Sequence, residues 1–399
     1  MTNTLGRRTL PLLALACGVT VANVYFPQAV SPLIGTGLHV SAGTAAAVVT
    51  AAQLGYTAGI FLLVPLGDRL PHRPLVVVLM VCTGAELLLA GVASSLPWLV
   101  LASALVGMTT VVPQILLPMV AGLTAPERRG QVTGTLLSGL LGGILLARTF
   151  SGTLGEWLGW RAPYLVAAGL VLVLAAVLSR AIPVTAPPSR QRYRALLAEP
   201  LRLLRTEPEL RRSCLYQALM FGGFTAAWTS IALLVTGHTY GLGTPAVGII
   251  ALVGAASVFC TPVAGRWADR RGPDAVNLVC FGVAVTAALV LVAGVLGGPV
   301  GLVALGLGMV LLDVAVQSGQ VANQARIFAL RPEARSRLNT AYMTCSFLGG
   351  SAGSWLGVRA YTGLGWAGVC CLVALAALSA LAGHVLWPVP AVHPAADHG

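Results

Sequence analysis

Three ionisable residues, Glu86, Arg148 and Asp313, interrupt long apolar stretches of the sequence. If those stretches cross a lipid bilayer, each charge costs about 2.5–3.5 kcal/mol there and is kept for a use or a partner. Arg148 could serve the function of the protein, or its long side chain could reach the outer headgroups. Asp313 could take up and release a proton, or pair with Arg326. Glu86 could hold a proton or contact a neighbouring helix.

Amide and aromatic side chains are scattered through the same apolar stretches. Such groups could anchor a ligand in a pocket whose walls are otherwise apolar. They could equally form hydrogen bonds between helices, each worth about 0.6 kcal/mol. Gln114 and Gln317 stand at similar places in the two halves of the chain. The candidates for a binding pocket are Asn23, Tyr25, Gln28, Gln114, Gln217, Trp228 and Gln317.

Histidine, cysteine and serine residues, which metal sites and covalent catalysis use, are present, but they lack the spacing that such sites require. The six histidines show no metal-ligand spacing, and the eight cysteines form no CxxC pair. The sequence has no HExxH motif, no nucleophile-elbow serine and no Walker A run. It therefore predicts no enzyme, and no bound metal or cofactor.

The composition indicates a membrane protein. Residues of the AVILMFWYC set make up 57% of the 399 residues and charged residues only 9%, against about 25% in soluble domains. A net charge of +12 would suggest nucleic acid as the partner of a soluble protein. Here the arginines border the apolar stretches, which indicates a membrane surface instead. We expect a lipid bilayer as partner and no nucleic acid.

The apolar stretches are long enough to cross a bilayer, which takes about 20 residues each. They predict an all-α membrane protein with twelve transmembrane helices in two six-helix repeats. The predicted spans are 9–31, 42–66, 74–94, 97–119, 131–153, 162–182, 213–236, 246–265, 275–294, 298–321, 337–358 and 365–387. The predicted units are an N-terminal bundle at 1–182, a cytoplasmic linker at 183–212, a C-terminal bundle at 213–387 and a cytoplasmic tail at 388–399.

The placement of the arginines predicts the orientation. All 24 arginines except Arg148, Arg161 and Arg359 lie in the termini or connections of one side. That side is expected to be cytoplasmic, and both termini lie on it. Within the linker, residues 190–206 mix arginines with leucines and could form an amphipathic helix on the headgroup layer. Pro200 would interrupt that helix, so both interpretations stay open.

The two halves of the sequence repeat short motifs in the same order. Asp68-Arg69 recurs as Asp269-Arg270, 201 residues later (269 − 68). Further pairs are Gly107-Met108 with Gly308-Met309, and Leu158-Gly159-Trp160 with Leu364-Gly365-Trp366. Ordered recurrence at a nearly constant offset indicates parallel repeats, which implies that one half rocks against the other about a central site.

These features resemble the major facilitator superfamily over essentially the whole chain. Within it, the chain is similar to the twelve-span drug/proton antiporter group of bacterial exporters. The segments that carry the resemblance are Val21–Gln28, Gln53–Tyr56, Val64–Arg69, Leu146–Thr149, Leu215–Met220 and Asn323–Arg326. The resemblance implies the major facilitator fold and a multi-pass location in the inner (plasma) membrane.

The family's motif G-x-x-x-D-R-x-G follows spans two and eight. The second copy fits the motif, whereas the first has Val64 in place of the leading glycine. The resemblance implies a latch that closes the cytoplasmic side, although basic loops would also serve orientation alone. The predicted latch residues are Asp68, Arg69, Arg73, Glu127 and Arg129 in the first half, and Gly265, Asp269, Arg270, Gly272, Glu333 and Arg335 in the second.

Two motifs of the antiporter group are incomplete in this chain. Span four lacks the usual coupling arginine. The glycine motif of span five is kept only as Gly139, Gly142 and Gly143, and Arg148 stands near the position of its usual Gly-Pro. Arg148 is therefore the distinguishing candidate for function, on a span that lines the central cavity in the family.

The expected function is secondary active export of a small, largely apolar organic compound, with the proton as coupling ion. The substrate is expected to be a small molecule and the protein a monomer. The alternative within transport is uptake or facilitated diffusion of a sugar or another metabolite. A remote alternative is a membrane receptor that transports nothing.

Overall fold

The computed structural model describes residues 9–124, 128–183, 191–254, 260–331 and 334–386, and these ranges are helical and contain no strand. The first half of the chain forms α1 (Thr9–Gly37), α2 (Ala42–Ala45), α3 (Ala47–Leu62), α4 (His72–Gly91), α5 (Leu96–Thr109), α6 (Val112–Leu123), α7 (Arg129–Leu158) and α8 (Ala162–Ala181). The rest forms α9 (Tyr193–Thr206), α10 (Pro208–Thr236), α11 (Pro245–Gly254), α12 (Thr261–Arg271), α13 (Pro273–Val292), α14 (Gly298–Leu330) and α15 (Arg335–Leu386).

The described helices agree with twelve membrane spans. Ten of them are long and apolar enough to cross a bilayer, counting α2–α3 and α5–α6 as one each. One of the ten, α15, has 52 residues and bends at Gly365, where φ is 67°. Its length of roughly 78 Å is more than two spans require. The remaining predicted span corresponds to α11, a shorter apolar helix, and to α12, which follows residues outside the described ranges. The predicted all-α fold of two six-helix repeats is confirmed.

Several helices extend beyond the predicted spans at the end of the bundle where α1, α4 and α7 begin. We call this the arginine-rich end and the other the arginine-poor end. The seventh span was predicted from residue 213, yet α10 begins at Pro208, where proline suits the first helical turn. The tenth was predicted to end at 321, yet α14 continues to Leu330. Hydropathy marks only the stretch that lies in lipid, and these helices continue past it on polar residues.

The linker between the halves contains the helix α9, which runs through Pro200 without a break. The expected interruption at this proline is therefore wrong. Leu196, Pro200 and Leu203 are all buried, so the proline lies on the packed face of α9. Packing of this apolar face favours the helix over the intrinsic preference of proline.

The two halves repeat one close helix crossing. In the first half α1 packs against α7, and in the second α10 packs against α15. At both crossings a Cβ atom on the glycine would collide with the backbone of the facing helix, so the helices touch directly. The colliding pairs are Gly139 with Ala14 and Gly143 with Gly18, then Gly349 with Ala218 and Gly353 with Gly222. This crossing holds the first and fifth span of each half together.

We expect Gly143→Ala to destabilise the protein. The added methyl group would meet the backbone of Gly18, which cannot yield as a flexible side chain would. Overpacking of this kind costs about 1–3 kcal/mol, and thermal unfolding in detergent would show it as a lower transition temperature. Gly142→Ala is the matched control, because nothing lies within 4 Å of its Cβ position. Equal losses for the two variants would contradict the direct backbone contact.

Candidate functional site

A buried arginine lies at the boundary between the two halves. Arg148, on α7, is 2% exposed. Its guanidinium carbon lies 4.0 Å from the ring centre of Trp228, on α10 of the second half, and 5.1 Å from that of Tyr25 on α1. Its Nε donates a hydrogen bond of 2.8 Å to the Oε1 of Gln28. The structure thus brings together four residues that the sequence singled out separately.

A carboxyl group completes this cluster from the second half. Asp313, on α14, is buried and lies beside the Trp228 indole within electrostatic range of Arg148. Gly254 on α11 makes room for it, because a Cβ atom there would lie 2.6 Å from Asp313 Oδ2. The sequence had offered Arg326 as a structural partner of Asp313; the two are not paired. We call Tyr25, Gln28, Arg148, Trp228 and Asp313 the central site.

Polar atoms of the central site remain available for a ligand. Arg148 Nη2, Gln28 Nε2 and Asp313 Oδ2 are buried and have no hydrogen-bond partner among the described residues. Buried polar groups are usually paired, and an unpaired one costs about 1–3 kcal/mol. Two donors and one acceptor in an aromatic setting form an amphipathic binding site with few polar anchors.

Two other predicted pocket residues, Gln217 and Gln317, lie on helices that also carry residues of the central site. Gln317 is one helical turn from Asp313 on α14, and Gln320 follows on the same face. This face points towards α10, where the buried Gln217 donates a hydrogen bond of 3.5 Å to Gln320. Gln317 itself is half-buried.

Asn23 and Gln114 lie close to the break between α5 and α6. The side-chain amide of Asn23 donates a bond of 3.4 Å to Thr110. The amide of Gln114 donates one of 3.3 Å to the hydroxyl of Tyr56. These contacts join helices of the first half, as the alternative interpretation of the amides expected.

Glu86 is separate from the central site. It is half-buried between α4 and α5, where the hydroxyl of Thr109 donates a hydrogen bond of 2.5 Å to it. Thr83 and Thr109 are also hydrogen-bonded to each other, at 2.9 Å. These contacts favour the structural interpretation of Glu86 over a proton site.

The predicted latch residues are only partly brought together. Asp68 is half-buried and lies within electrostatic range of Arg337 from the second half. By contrast Asp269 and Arg270 are exposed, with no ion pair among the described residues. Of the remaining members, Arg69 is exposed, Arg73 and Gly265 are half-buried, Gly272 ends α12 at φ 83°, and Arg335 donates to the carbonyl of Phe328. Glu127, Glu333 and the side chain of Arg129 lie outside the described residues.

An ion-pair cluster lies at the arginine-rich end, and the sequence did not predict it. Asp274, at the start of α13, pairs with Arg212 at 3.0 Å and with Arg326. Glu209 lies 3.4 Å from Arg326 and 3.8 Å from Arg212. Both arginines are buried, and His384 lies 3.7 Å from Asp274. The cluster joins the ends of α10, α13, α14 and α15.

The helix α9 is fastened to both halves. Its Tyr193 hydroxyl donates a bond of 2.5 Å to the carbonyl of Leu62 in the first half. Its Glu199 pairs with Arg337 at 2.7 Å at the start of α15. Just beyond its end, Glu207 pairs with Arg331 at 2.6 Å.

Several direct hydrogen bonds between the halves lie towards the arginine-poor end. Thr149 on α7 donates a bond of 2.9 Å to the carbonyl of Gly248 on α11. Thr244 donates one of 2.8 Å to Gly152, and Thr50 one of 3.2 Å to Ser354. At the opposite end a cavity of about 310 Å³ is lined mainly by the first half, at residues that include Asp68, His72, Gln114 and Pro118, with Ser336 from the second half.

Two similar six-helix halves around a buried charged site are the architecture of a membrane transporter. Comparison with known families shows which family of transporters the chain belongs to. The chain matches the Major Facilitator Superfamily over residues 12–354 and belongs to that family, as the resemblance implied.

Related proteins carry transporter names. An uncharacterized transporter of Escherichia coli, YgaY, is 37% identical over 367 residues, 92% of each chain. A probable transporter of Streptomyces coelicolor is 36% identical over 397 residues, 98% of this chain and 88% of the relative. A chloramphenicol resistance protein of Streptomyces lividans is 29% identical over 270 residues, 66% of this chain and 67% of the relative.

Solved structures share the fold. The nucleoside transporter NupG superposes with a TM-score of 0.74 at 12% identity, covering 95% of this chain and 99% of that one. A bacterial homolog of the human lysosomal transporter Spinster gives 0.66 at 15% identity, covering 95% and 94%. At these identities the likeness concerns the fold alone.

Proposed function

We propose that this membrane transporter exports a small, largely apolar organic compound in exchange for protons. The observation that carries the proposal is the stacking of Arg148, from one half, on Trp228, from the other, beside Asp313. Charged groups held across the boundary must change their contacts when the halves rock. A ligand or proton that binds there can therefore bias one conformation over the other.

The chemistry of the central site supports an amphipathic substrate. Two aromatic rings, Tyr25 and Trp228, flank the guanidinium, and the unpaired donors Arg148 Nη2 and Gln28 Nε2 can anchor one acceptor group. Asp313 supplies a carboxyl that can exchange a proton with water when the site opens. The name of the Streptomyces lividans relative makes chloramphenicol the first compound to test.

The arginine-rich end is proposed to face the cytoplasm, since basic residues are retained on that side of a membrane. Both termini then lie in the cytoplasm, and the hydrogen bonds at Thr149, Thr244 and Thr50 close the outer side. The cavity lined by Asp68 and Ser336 opens towards the cytoplasm in this orientation. The described conformation is accordingly an inward-facing one.

We propose that the cytoplasmic latch uses Asp68 with Arg337, in place of the exposed Asp269–Arg270 pair. Arg337 already bonds to Glu199 of α9 and lies within electrostatic range of Asp68. Closure of the cytoplasmic side would bring the two halves together at this point. Opening would separate them again, so the pair would form in one conformation only.

Transport in reconstituted vesicles tests the function. With the lumen one pH unit more acid than the bath, proton exit should drive chloramphenicol inward, up to about tenfold accumulation per exchanged proton. A protonophore should abolish it, and protein-free vesicles should show none. Flux that does not depend on the pH gradient would refute proton exchange and would favour facilitated diffusion instead. Absence of flux for a panel of dyes and antibiotics that bind the protein would refute export.

A further inference from the structure

We propose that the outward face of α9 binds the headgroups of anionic phospholipids in the leaflet at the arginine-rich end. This face consists of residues 194, 198, 201, 202 and 205, which follow the helical spacing i, i+4, i+7, i+8 and i+11. The inference concerns the lipid environment, and it holds whether or not the proposed substrate and coupling are correct.

The charges of α9 are sorted between its two faces. Arg194, Arg202 and Arg205 are exposed and have no ion-pair partner among the described residues. The acidic residues are directed the other way: Glu199 pairs with Arg337, and Glu207, just past the helix, pairs with Arg331. The charged side chains of the outward face are therefore all basic, because the acidic ones pair with arginines of the second half.

An apolar side chain lies within the basic face. Leu201 is 50% exposed next to Arg202, although the apolar side of α9 is already filled by Leu196 and Leu203 packed against the protein. A leucine among arginines suits the boundary between headgroups and acyl chains. There the leucine contacts the acyl chains and the arginines contact the headgroups. A soluble acidic partner would match the arginines and leave this leucine without a reason.

The contacts of α9 place the helix beside the ends of spanning helices, at the level of the membrane surface. Tyr193 is bonded to Leu62 at the end of α3, and Glu199 to Arg337 at the start of α15, both at the arginine-rich end of spanning helices. Basic side chains near an anionic leaflet gain binding energy that falls off within a Debye length. The same contacts join α9 to both halves, so headgroup binding would act on the helix that links them.

Lipid binding by the purified full-length protein in detergent tests the proposal. Fluorescent phosphatidylglycerol and phosphatidylcholine are titrated separately, and we expect phosphatidylglycerol to bind about tenfold tighter or more at low salt. The triple variant R194Q/R202Q/R205Q should lose this preference. The variant R194K/R202K/R205K keeps the charge and should retain it, which separates lost charge from damaged folding.

The matched control is R180Q/R266Q/R271Q, which removes three other exposed arginines from the same end. It should keep the preference for phosphatidylglycerol. An equal loss in this control would show that the general positive charge attracts the lipid and would overturn the proposal. No preference in the unaltered protein would also overturn it and leave a soluble acidic partner as the occupant of this face.

Discussion

Replacing Arg148 with alanine is expected to lower the transport rate by about 100-fold or more. The variant loses a buried cation–π contact with Trp228, worth about 2 kcal/mol, and a charge-assisted hydrogen bond to Gln28, worth about 1.5–3 kcal/mol. A hundredfold change corresponds to about 2.7 kcal/mol. The substitution Arg148→Ala also leaves Asp313 without its nearby counter-charge. The measurement is the initial rate of substrate flux into vesicles at matched protein content.

Two further variants show whether the effect belongs to the central site. Arg161→Ala is the matched control, because Arg161 also lies over an indole, with its guanidinium carbon 4.3 Å from the ring centre of Trp160. It lies at the arginine-poor end, so its loss should leave the rate within about twofold, as for most surface changes. Arg148→Lys keeps the charge without the planar stacking and should fall between the two. Full activity of Arg148→Ala would remove Arg148 from the site.

The fold could be predicted from the sequence because a bilayer permits few alternatives. Helices must satisfy their own backbone hydrogen bonds in lipid, so every long apolar stretch becomes a span. The recurrence of Asp68-Arg69 at Asp269-Arg270 then indicated the repeat. The crossing of Gly143 with Gly18, repeated at Gly353 with Gly222, was not predictable, since spacing of glycines along one helix does not name the helix that faces it.

The central site could be predicted as a set of residues but not as an arrangement. Polar groups in apolar spans are costly, which was enough to single out Arg148 and Asp313. Their partners depend on the rotation of each helix about its axis, which hydropathy does not determine. The structure shows that Trp228 lies beside both of these groups, whereas Glu86 contacts Thr109 elsewhere.

The ion-pair cluster around Asp274 was missed for a different reason. Arg212 fits the excess of basic residues expected on one side of the membrane, and Arg326 was considered only as a partner of Asp313, so Asp274 was not considered as a partner of either arginine. The structure shows the connection, because both arginines are buried beside the carboxylate of Asp274. A residue that satisfies a topological rule can also serve a local contact, and only coordinates separate the two roles.

Replacing Asp313 with asparagine is expected to abolish the response to a pH gradient while exchange of substrate continues. Asparagine has nearly the same shape as a protonated carboxyl, so the packing against Gly254 and Trp228 should survive. It can neither take up nor release a proton, so the return of the empty site no longer carries a proton across the membrane. Accumulation driven by one pH unit, up to about tenfold in the unaltered protein, should fall to none. Counterflow of labelled substrate, which needs no net proton movement, should stay within about threefold, because asparagine keeps an oxygen acceptor in place of the Asp313 carboxyl.

Glu86→Gln is the informative comparison. Glu86 is the other carboxyl that the sequence placed inside a span, and it is half-buried. Its hydrogen bond from Thr109 lies outside the central site, so this variant should accumulate substrate in response to the gradient as before. The reverse outcome, in which Glu86→Gln loses the response and Asp313→Asn keeps it, would move the proton site to α4. Loss of both gradient-driven accumulation and counterflow in Asp313→Asn would show that the carboxyl binds substrate. Because Asp313 faces Arg148 across the boundary between the halves, protonation there alters the attraction that joins them, which is what coupling of a proton to their movement requires.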